Sequence, residues 1–168
     1  LAAGSGSNLH VAAELFKNMT GTDMLHVQYK GGGPALLAVL SGEVDLSYLN
    51  VAAVVPHVKA GKLRALGMTS TQRSAALPEL ATIAESGVPG YEFTSWVGAL
   101  VPAATPAQTV AELNALITKS VRAPDLSKRF AEQGAEIIAG SPAQFAAHIK
   151  AELARWAKVV KESGMKAD

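Results

Sequence analysis

The chain has 168 residues, of which 49% are hydrophobic and 17% charged, a composition typical of a folded globular protein. Its 15 basic and 14 acidic side chains give a net charge of +1, and only 5% of its residues are aromatic. These values exclude a strongly basic surface or rows of aromatic residues that would bind nucleic acid. Because the sequence has no cysteine, disulfides, thiolate nucleophiles and cysteine-ligated zinc are excluded as well.

Strand and helix patterns alternate over the first hundred residues. The predicted strands are Met24–Tyr29, Val44–Leu49 and Leu63–Thr69. Helices are predicted after Ser7, from Pro34 and after Asn50, and each is ended by a glycine, namely Gly21, Gly42 and Gly61. This alternation predicts an α/β fold with right-handed βαβ units and a mostly parallel sheet. A short helix near Thr82–Ser86 and an extended segment over Glu92–Val101 are predicted next.

The pattern becomes mainly helical after Val101. Thr105-Pro106-Ala107-Gln108 and Ser141-Pro142-Ala143-Gln144 share one helix-start signature, with a proline at the first helical position and a glutamine suited to a capping box. The other predicted elements are a helix over Pro124–Gln133, a strand over Glu136–Ala139 and a last helix that ends at Gly164. We therefore predict an α/β lobe over residues 1–101 and a helical segment over residues 102–168.

The loop before the first helix is the first candidate site. It contains Ser5, Gly6 and Ser7, and Asn8 follows it. N–H groups at a helix N-terminus, preceded by flexible glycines, form an anion site that suits a carboxylate or phosphate. A plain capped turn is the alternative interpretation of the same residues. The loop lacks the Gly-Lys-Ser/Thr ending of a Walker motif.

Two further loops lie at the predicted carboxyl ends of strands. In the first, Tyr29, Lys30, Gly31 and Gly32 either let the backbone approach a ligand closely or form a turn in solvent. In the second, Asn50 caps a helix and is a candidate for ligand contact as well. Because such loops meet at one edge of a parallel sheet, we expect all three to surround the same ligand.

The sequence offers little for catalysis. No pair of the four histidines has metal-site spacing, and no serine stands in a Gly-x-Ser-x-Gly motif after a strand. A hydrolase that uses Ser5 or Ser7 would lack a matching base and acid. We therefore expect no enzyme activity, no metal and no cofactor. Trp96, in the extended segment, either flanks a ligand cleft or packs in the core.

Several further stretches of sequence, spread over nearly the whole chain, match one known protein family in the same order and register. They are Gly4-Ser5-Gly6-Ser7 with His10 and Ala13-Glu14-Leu15-Phe16, His26-Val27-Gln28-Tyr29-Lys30-Gly31-Gly32, Gly42-Glu43-Val44-Asp45, Ala60-Gly61-Lys62-Leu63-Arg64-Ala65-Leu66, Thr82-Ile83-Ala84-Glu85-Ser86-Gly87-Val88-Pro89-Gly90-Tyr91, Trp96-Val97-Gly98 and Pro102-Ala103-Ala104-Thr105-Pro106. Together they resemble the tripartite tricarboxylate transporter receptors, also called Bug-type solute-binding proteins. One departure is Gln28, where relatives more often have proline.

This resemblance implies a periplasmic-binding-protein type II-like fold, with the second lobe followed by the helical part that returns to the first. It implies a periplasmic receptor that holds a small carboxylate-bearing ligand by backbone amides and delivers it to membrane permease subunits. The implied contact residues are Ser5, Gly6, Ser7, Asn8, Tyr29, Lys30, Gly31, Gly32, Asn50 and Trp96. The alternative is an effector-binding domain of a transcription regulator, which shares this fold.

The resemblance also implies that the chain is the C-terminal part of a longer receptor. Residues 106–168 are then expected to carry apolar faces without their native sheet partner. Apolar surface left in water is unfavourable, by about 25 cal/mol per Å². We therefore expect the chain to self-associate through these helices.

Overall fold

The computed structural model describes residues 2–3 and 7–163 of the chain. It contains two compact units. Unit 1 comprises Leu1–Ser95 and Trp156–Asp168, and unit 2 comprises Trp96–Arg155. The predicted lobe boundary near residue 101 stays a prediction, because compactness within the chain does not test which receptor lobe each part belongs to.

Three helices of unit 1 begin and end close to where the sequence predicts. They are α1, Asn8–Thr20; α2, Gly32–Ser41; and α3, Val51–Lys59. Ser7 is the N-cap of α1, and its side chain accepts a hydrogen bond from the His10 N–H. Gly21 and Gly42 end α1 and α2 in the left-handed conformation that favours glycine. The predicted start of α2 at Pro34 is two residues late, although Pro34 still lies in the first turn, where its missing N–H has no cost.

The strands are shorter than the sequence predicts. β1, Ala2–Ala3, pairs in parallel with β2, Val27–Gln28, and Met68 and Thr82 form an isolated parallel bridge. Among the described residues, the other predicted strands form no regular strand, and Thr82–Ser86 folds as hydrogen-bonded turns rather than a helix. An apolar run predicts an extended, buried segment, whereas a strand also needs a neighbour with matching N–H and C=O groups.

Two apolar clusters hold unit 1 together. Ala35, Ala38 and Val44 form the first, against which the side chains of Val27, Tyr29, Val39 and Leu49 pack. Ala12, Tyr91 and Phe93 form the second, which also contacts α1 side chains, Tyr48 and Trp156. The Tyr91 hydroxyl donates a hydrogen bond of 2.9 Å to the Ala12 carbonyl. The buried apolar residues of α1 and α2 are all alanines, and these small side chains let neighbouring segments pack closely on both helices.

Unit 2 contains α4, Ala107–Val121, and α5, Pro124–Glu132, and α6, Pro142–Ser163, begins there. The predicted capping box is present at α6: Ser141 and Gln144 exchange side chain–backbone hydrogen bonds of 2.8 and 3.2 Å. The same prediction is wrong for α4. There the Thr105 N–H donates to Pro102, Pro106 occupies the N-cap position, and Gln108 bonds Glu112 instead. The Phe145 ring of α6 packs directly on Gly98.

Candidate ligand-binding site

Three helix N-termini meet around a cavity of about 350 Å³ in unit 1. The residues that line it come from the starts of α1, α2 and α3: Ser7, Asn8, Leu9, Gly31, Gly32, Gly33, Leu36, Leu49, Asn50 and Ala53. The first N–H groups of a helix have no intrahelical acceptor, and the helix dipole is positive at this end. The first turns of α1, α2 and α3, all within the described residues, carry no acidic side chain. The cavity is therefore suited to an anionic group.

At α1, side chains of the same turn already occupy two of the amides. Ser7 Oγ accepts a hydrogen bond of 3.3 Å from the His10 N–H, and Asn8 Oδ1 accepts one of 2.9 Å from the Leu9 N–H. Asn8 Nδ2 in turn donates a hydrogen bond of 2.8 Å to Ser95 Oγ. The α1 terminus thus offers fewer accessible donors than its position suggests.

At α2 and α3 more of the first-turn amides are accessible, although the Ala53 N–H of α3 donates to the Asn50 carbonyl at 3.0 Å. Within the described part of the chain, no side-chain cap is made at either N-cap residue, Gly31 or Asn50. Gly31 has φ of 100°, so glycine is required there, and a Cβ added at Gly31 or Gly33 would meet open space. Asn50 occupies the predicted N-cap position of α3, but the predicted side-chain cap is wrong, and this side chain is exposed at the cavity.

The apolar side chains Leu9, Leu36 and Leu49 also line the cavity. Small-molecule sites typically combine an apolar lining with a few placed polar groups, in volumes of roughly 300–1,000 Å³. Amides at one end and leucines beside them therefore suit a ligand with an acidic head and an aliphatic chain.

The structure brings together five of the site residues that the sequence predicts: Ser7, Asn8, Gly31, Gly32 and Asn50. Ser5 and Gly6 lie outside the described residues. Tyr29 and Lys30 are not among the lining residues. The Tyr29 hydroxyl donates a hydrogen bond of 2.8 Å to Glu43 Oε1, which raises the pKa of this phenol, and Lys30 is exposed.

Trp96 belongs to unit 2, where its own contacts hold it. Its indole N–H donates a hydrogen bond of 3.2 Å to Glu152, and Phe145 and His148 lie edge-on to the indole at ring-centroid distances of 5.5 and 5.1 Å. With 44% of its surface exposed, Trp96 is not a core residue. Its predicted contact with ligand stays a prediction.

Sequence reasoning missed the lining residues Leu9, Gly33, Leu36 and Ala53. Helical spacing was the available signal. Leu36 lies four residues after Gly32, and Ala53 lies three after Asn50, so each shares a helix face with a predicted site residue.

Other chemistry in the described residues is limited. They contain no group of three or more histidine or acidic side chains that could hold a metal. None of their helices combines the length and the apolar character needed to cross a membrane. A second cavity of about 400 Å³ in unit 1 is lined by Asp23, Glu43 and Asp45, so its charge disfavours a carboxylate.

A family model described as the tripartite tricarboxylate transporter family receptor matches residues 2–165. The chain belongs to this family. The chain is 36% identical over 167 residues to the UPF0065 protein in the tcbD–tcbE intergenic region of Pseudomonas sp. strain P51, covering 99% of this chain and 50% of that protein. It is 36% identical over 161 residues to BugT of Bordetella pertussis, covering 96% of this chain and 49% of that protein. The chain therefore spans about half the length of these relatives.

Solved structures confirm the predicted fold. An R. palustris protein with bound adipate superimposes with a TM-score of 0.88 at 40% identity, over 98% of this chain and 56% of that one. The periplasmic binding protein BugD superimposes with a TM-score of 0.88 at 28% identity, over 99% of this chain and 57% of that one. The fold is thus the predicted α/β periplasmic-binding-protein fold, and these matches do not favour the regulator alternative.

Proposed function

We propose that this chain carries the carboxylate-binding lobe of an extracytoplasmic solute receptor. The receptor binds a small organic acid and delivers it to the permease subunits of a tripartite tricarboxylate-type transporter. One observation supports this proposal above all. Three helix N-termini meet around one cavity, and none of them has an acidic side chain in its first turn. Membership of the receptor family supports the transport role.

The cavity supports a carboxylate with an aliphatic chain as the ligand class, and the adipate bound by the R. palustris relative favours a dicarboxylate within that class. One carboxylate is placed at the amides of Gly32 and Gly33 in α2 and at the first two amides of α3. The third amide of α3, that of Ala53, already donates to the Asn50 carbonyl at 3.0 Å. The carbon chain then lies along Leu9, Leu36 and Leu49. The adipate in the R. palustris relative, which has two carboxylates on a four-carbon linker, fits this description.

The same proposal places the receptor in the periplasm, where relatives such as BugD act as binding proteins. It assigns the chain no catalytic step. Binding by backbone amides holds an anion without activating it, whereas hydrolysis would need a nucleophile oriented by a base and an acid. Ser7 serves as the N-cap of α1, where its Oγ accepts a hydrogen bond from the His10 N–H.

The test compares three ligands with the same six-carbon chain: adipate, hexanoate and adipamide. Isothermal calorimetry and thermal unfolding are measured for each, because a ligand that binds only the native state raises the unfolding midpoint. We expect adipate to bind most tightly, hexanoate more weakly, and neutral adipamide not at all. Equal binding of adipamide, or no binding of any acid, would contradict the proposal.

We also propose that this chain self-associates through unit 2. Leu113, Leu116 and Ile117 lie on one face of α4 and are 37%, 62% and 44% exposed. Contiguous exposed apolar residues on a soluble protein mark an interaction surface. Light scattering across a dilution series should give a mass that rises with concentration. A Leu116→Lys variant should lower that mass, and a monomer at every concentration would contradict the proposal.

A further inference from the structure

Asn8 stands between the cavity and a distant part of unit 1. Its side-chain oxygen accepts the Leu9 N–H at 2.9 Å, and its side-chain nitrogen donates to Ser95 Oγ at 2.8 Å. Ser95 lies 87 residues further along the chain and is the last residue of unit 1 before Trp96. With a partner at each end, the carboxamide is held in one orientation.

This orientation matters because Leu9 supplies one of the first-turn amides of α1, which point toward the N-terminal end of that helix. A carboxylate that approaches this terminus finds the Leu9 amide already hydrogen-bonded to the Asn8 side-chain oxygen. The neutral amide oxygen is a weaker acceptor than a carboxylate, so the carboxylate can replace it, but only if the Asn8 side chain turns away. Turning away also breaks the hydrogen bond to Ser95.

We propose that Asn8 and Ser95 form a latch that covers the Leu9 amide and sets the affinity and selectivity of the cavity for carboxylates. Asn8 is then a specificity-determining residue that acts by blocking a donor, and it does not itself hold the acid. This inference rests on the proposed function, since it assumes that carboxylates bind in this cavity.

The neighbouring Ser7 also covers an amide of α1. Ser7 Oγ accepts the His10 N–H at 3.3 Å within the same turn, as an ordinary N-cap does. Asn8 is bonded in addition to Ser95, far outside the helix, and both Asn8 and Ser95 are exposed and so accessible to an incoming ligand. Replacing Ser95 should therefore change the accessibility of the Leu9 amide without altering any residue of α1.

The test measures adipate binding by calorimetry for the wild type, Asn8→Ala, Ser95→Ala and the double variant. Asn8→Ala uncovers the Leu9 amide, and the dissociation constant should fall roughly five- to tenfold, the scale of one additional charge-assisted hydrogen bond. Ser95→Ala should lower it by a smaller factor. The double variant should match Asn8→Ala, because Ser95 acts only through Asn8. Thr94→Ala, an exposed neighbour of Ser95, is the matched control and should bind as the wild type does.

A second readout needs no ligand. Amide hydrogen exchange at Leu9 should be faster in Ser95→Ala and faster still in Asn8→Ala, while exchange at His10 should stay unchanged. Weaker or unchanged adipate binding by Asn8→Ala, with a wild type that binds, overturns the latch and leaves the receptor function standing. If neither the wild type nor any variant binds a carboxylate, the proposed function fails and the latch fails with it.

Discussion

His10 and His26 stack face to face, with ring centroids 3.8 Å apart and planes inclined by 13°. His10 belongs to α1 and lies close to the buried Glu14. The Glu14 carboxylate is 3.7 Å from His10 Nε2 and 2.9 Å from the Lys17 ammonium. Burial lowers the pKa of both imidazoles below the ordinary value of 6.5, and for His10 it outweighs the attraction of Glu14. Neither ring nitrogen of His26 has a hydrogen-bond partner among the residues that the structure describes.

We predict that the protein loses stability as the pH falls below about 6.5. A histidine whose pKa is lowered by folding binds fewer protons in the folded state than in the unfolded chain. Above pH 6.5 both states are mostly neutral, so these histidines contribute no pH dependence. As the pH falls from there toward the folded pKa values, protons bind the unfolded chain first and unfolding becomes easier. Urea midpoints measured from pH 7.5 to pH 5 should decrease.

Two substitutions at His26 separate the effect of its protonation on stability from the effect of its side-chain packing. His26→Phe and His26→Asn both remove the titrating ring, so both should make the acid-side loss of stability shallower than in the wild type. At pH 7.5, His26→Phe should be the more stable of the two, because it removes two buried polar atoms that lack a partner. A wild-type pH slope in both variants would exclude the titration of His26 as a cause.

Tyr91 should be a stability determinant of unit 1. Its side chain is 1% exposed and its hydroxyl donates to the Ala12 carbonyl of α1 at 2.9 Å. Burial also raises the pKa of the neighbouring Tyr48, to which Tyr91 is hydrogen-bonded, to about 12. Tyr91→Phe should lower the free energy of unfolding by about 1–2 kcal/mol, measured in urea. Tyr29→Phe is the control: its hydroxyl bonds Glu43 at the surface, so the unfolding midpoint should change much less.

Two helix starts that share one sequence signature have different structures. The patterns Thr105–Gln108 and Ser141–Gln144 both predict a capping box, but only the second forms one. At the first, the Thr105 N–H is taken by the Pro102 carbonyl, and the helix begins one residue later. The competing acceptor belongs to the preceding turn, so the signature alone could not reveal it. We therefore predict that Ser141→Ala costs about 1 kcal/mol of stability in thermal unfolding, whereas Thr105→Ala changes it by less than about 0.5 kcal/mol.

The sequence was sufficient to predict the helices of unit 1 and the loop at Gly31 and Gly32, because helix caps and left-handed glycines are local features. It was not sufficient to predict which residue the Asn8 side chain contacts. The hydrogen bond from Asn8 to Ser95 joins residues 87 positions apart, and no local pattern encodes that pairing. The predicted strand lengths were wrong for the same reason. Val44–Leu49 has the apolar character of a strand, but pairing depends on a neighbour that local periodicity does not supply.

Gly98 should tolerate no side chain. A methyl group added there would overlap the ring of Phe145, which α6 places against the backbone at this position. Gly98→Ala should therefore destabilise unit 2 by about 1–3 kcal/mol, followed by tryptophan fluorescence in urea. Phe145→Ala should relieve part of that loss when the two substitutions are combined. Gly33→Ala is the contrasting variant: its Cβ meets open space, so stability should be kept or slightly increased.

A proline can remove the first amide of α3, next to the cavity-lining Asn50, without disturbing the helix. Val51 is the first residue of α3, where proline is well tolerated, and the preceding Asn50 has φ of −68° and ψ of 139°, which suits a residue before proline. Val51→Pro should weaken adipate binding about tenfold, the scale of one charge-assisted hydrogen bond, with an unchanged unfolding midpoint in the absence of ligand. Ala107→Pro makes the same change at the first residue of α4, which lines no part of the cavity, and should leave binding unchanged. If both variants bind as the wild type does, the α3 amide has no part in holding the acid, and the ligand must depend on α2 alone or on side chains.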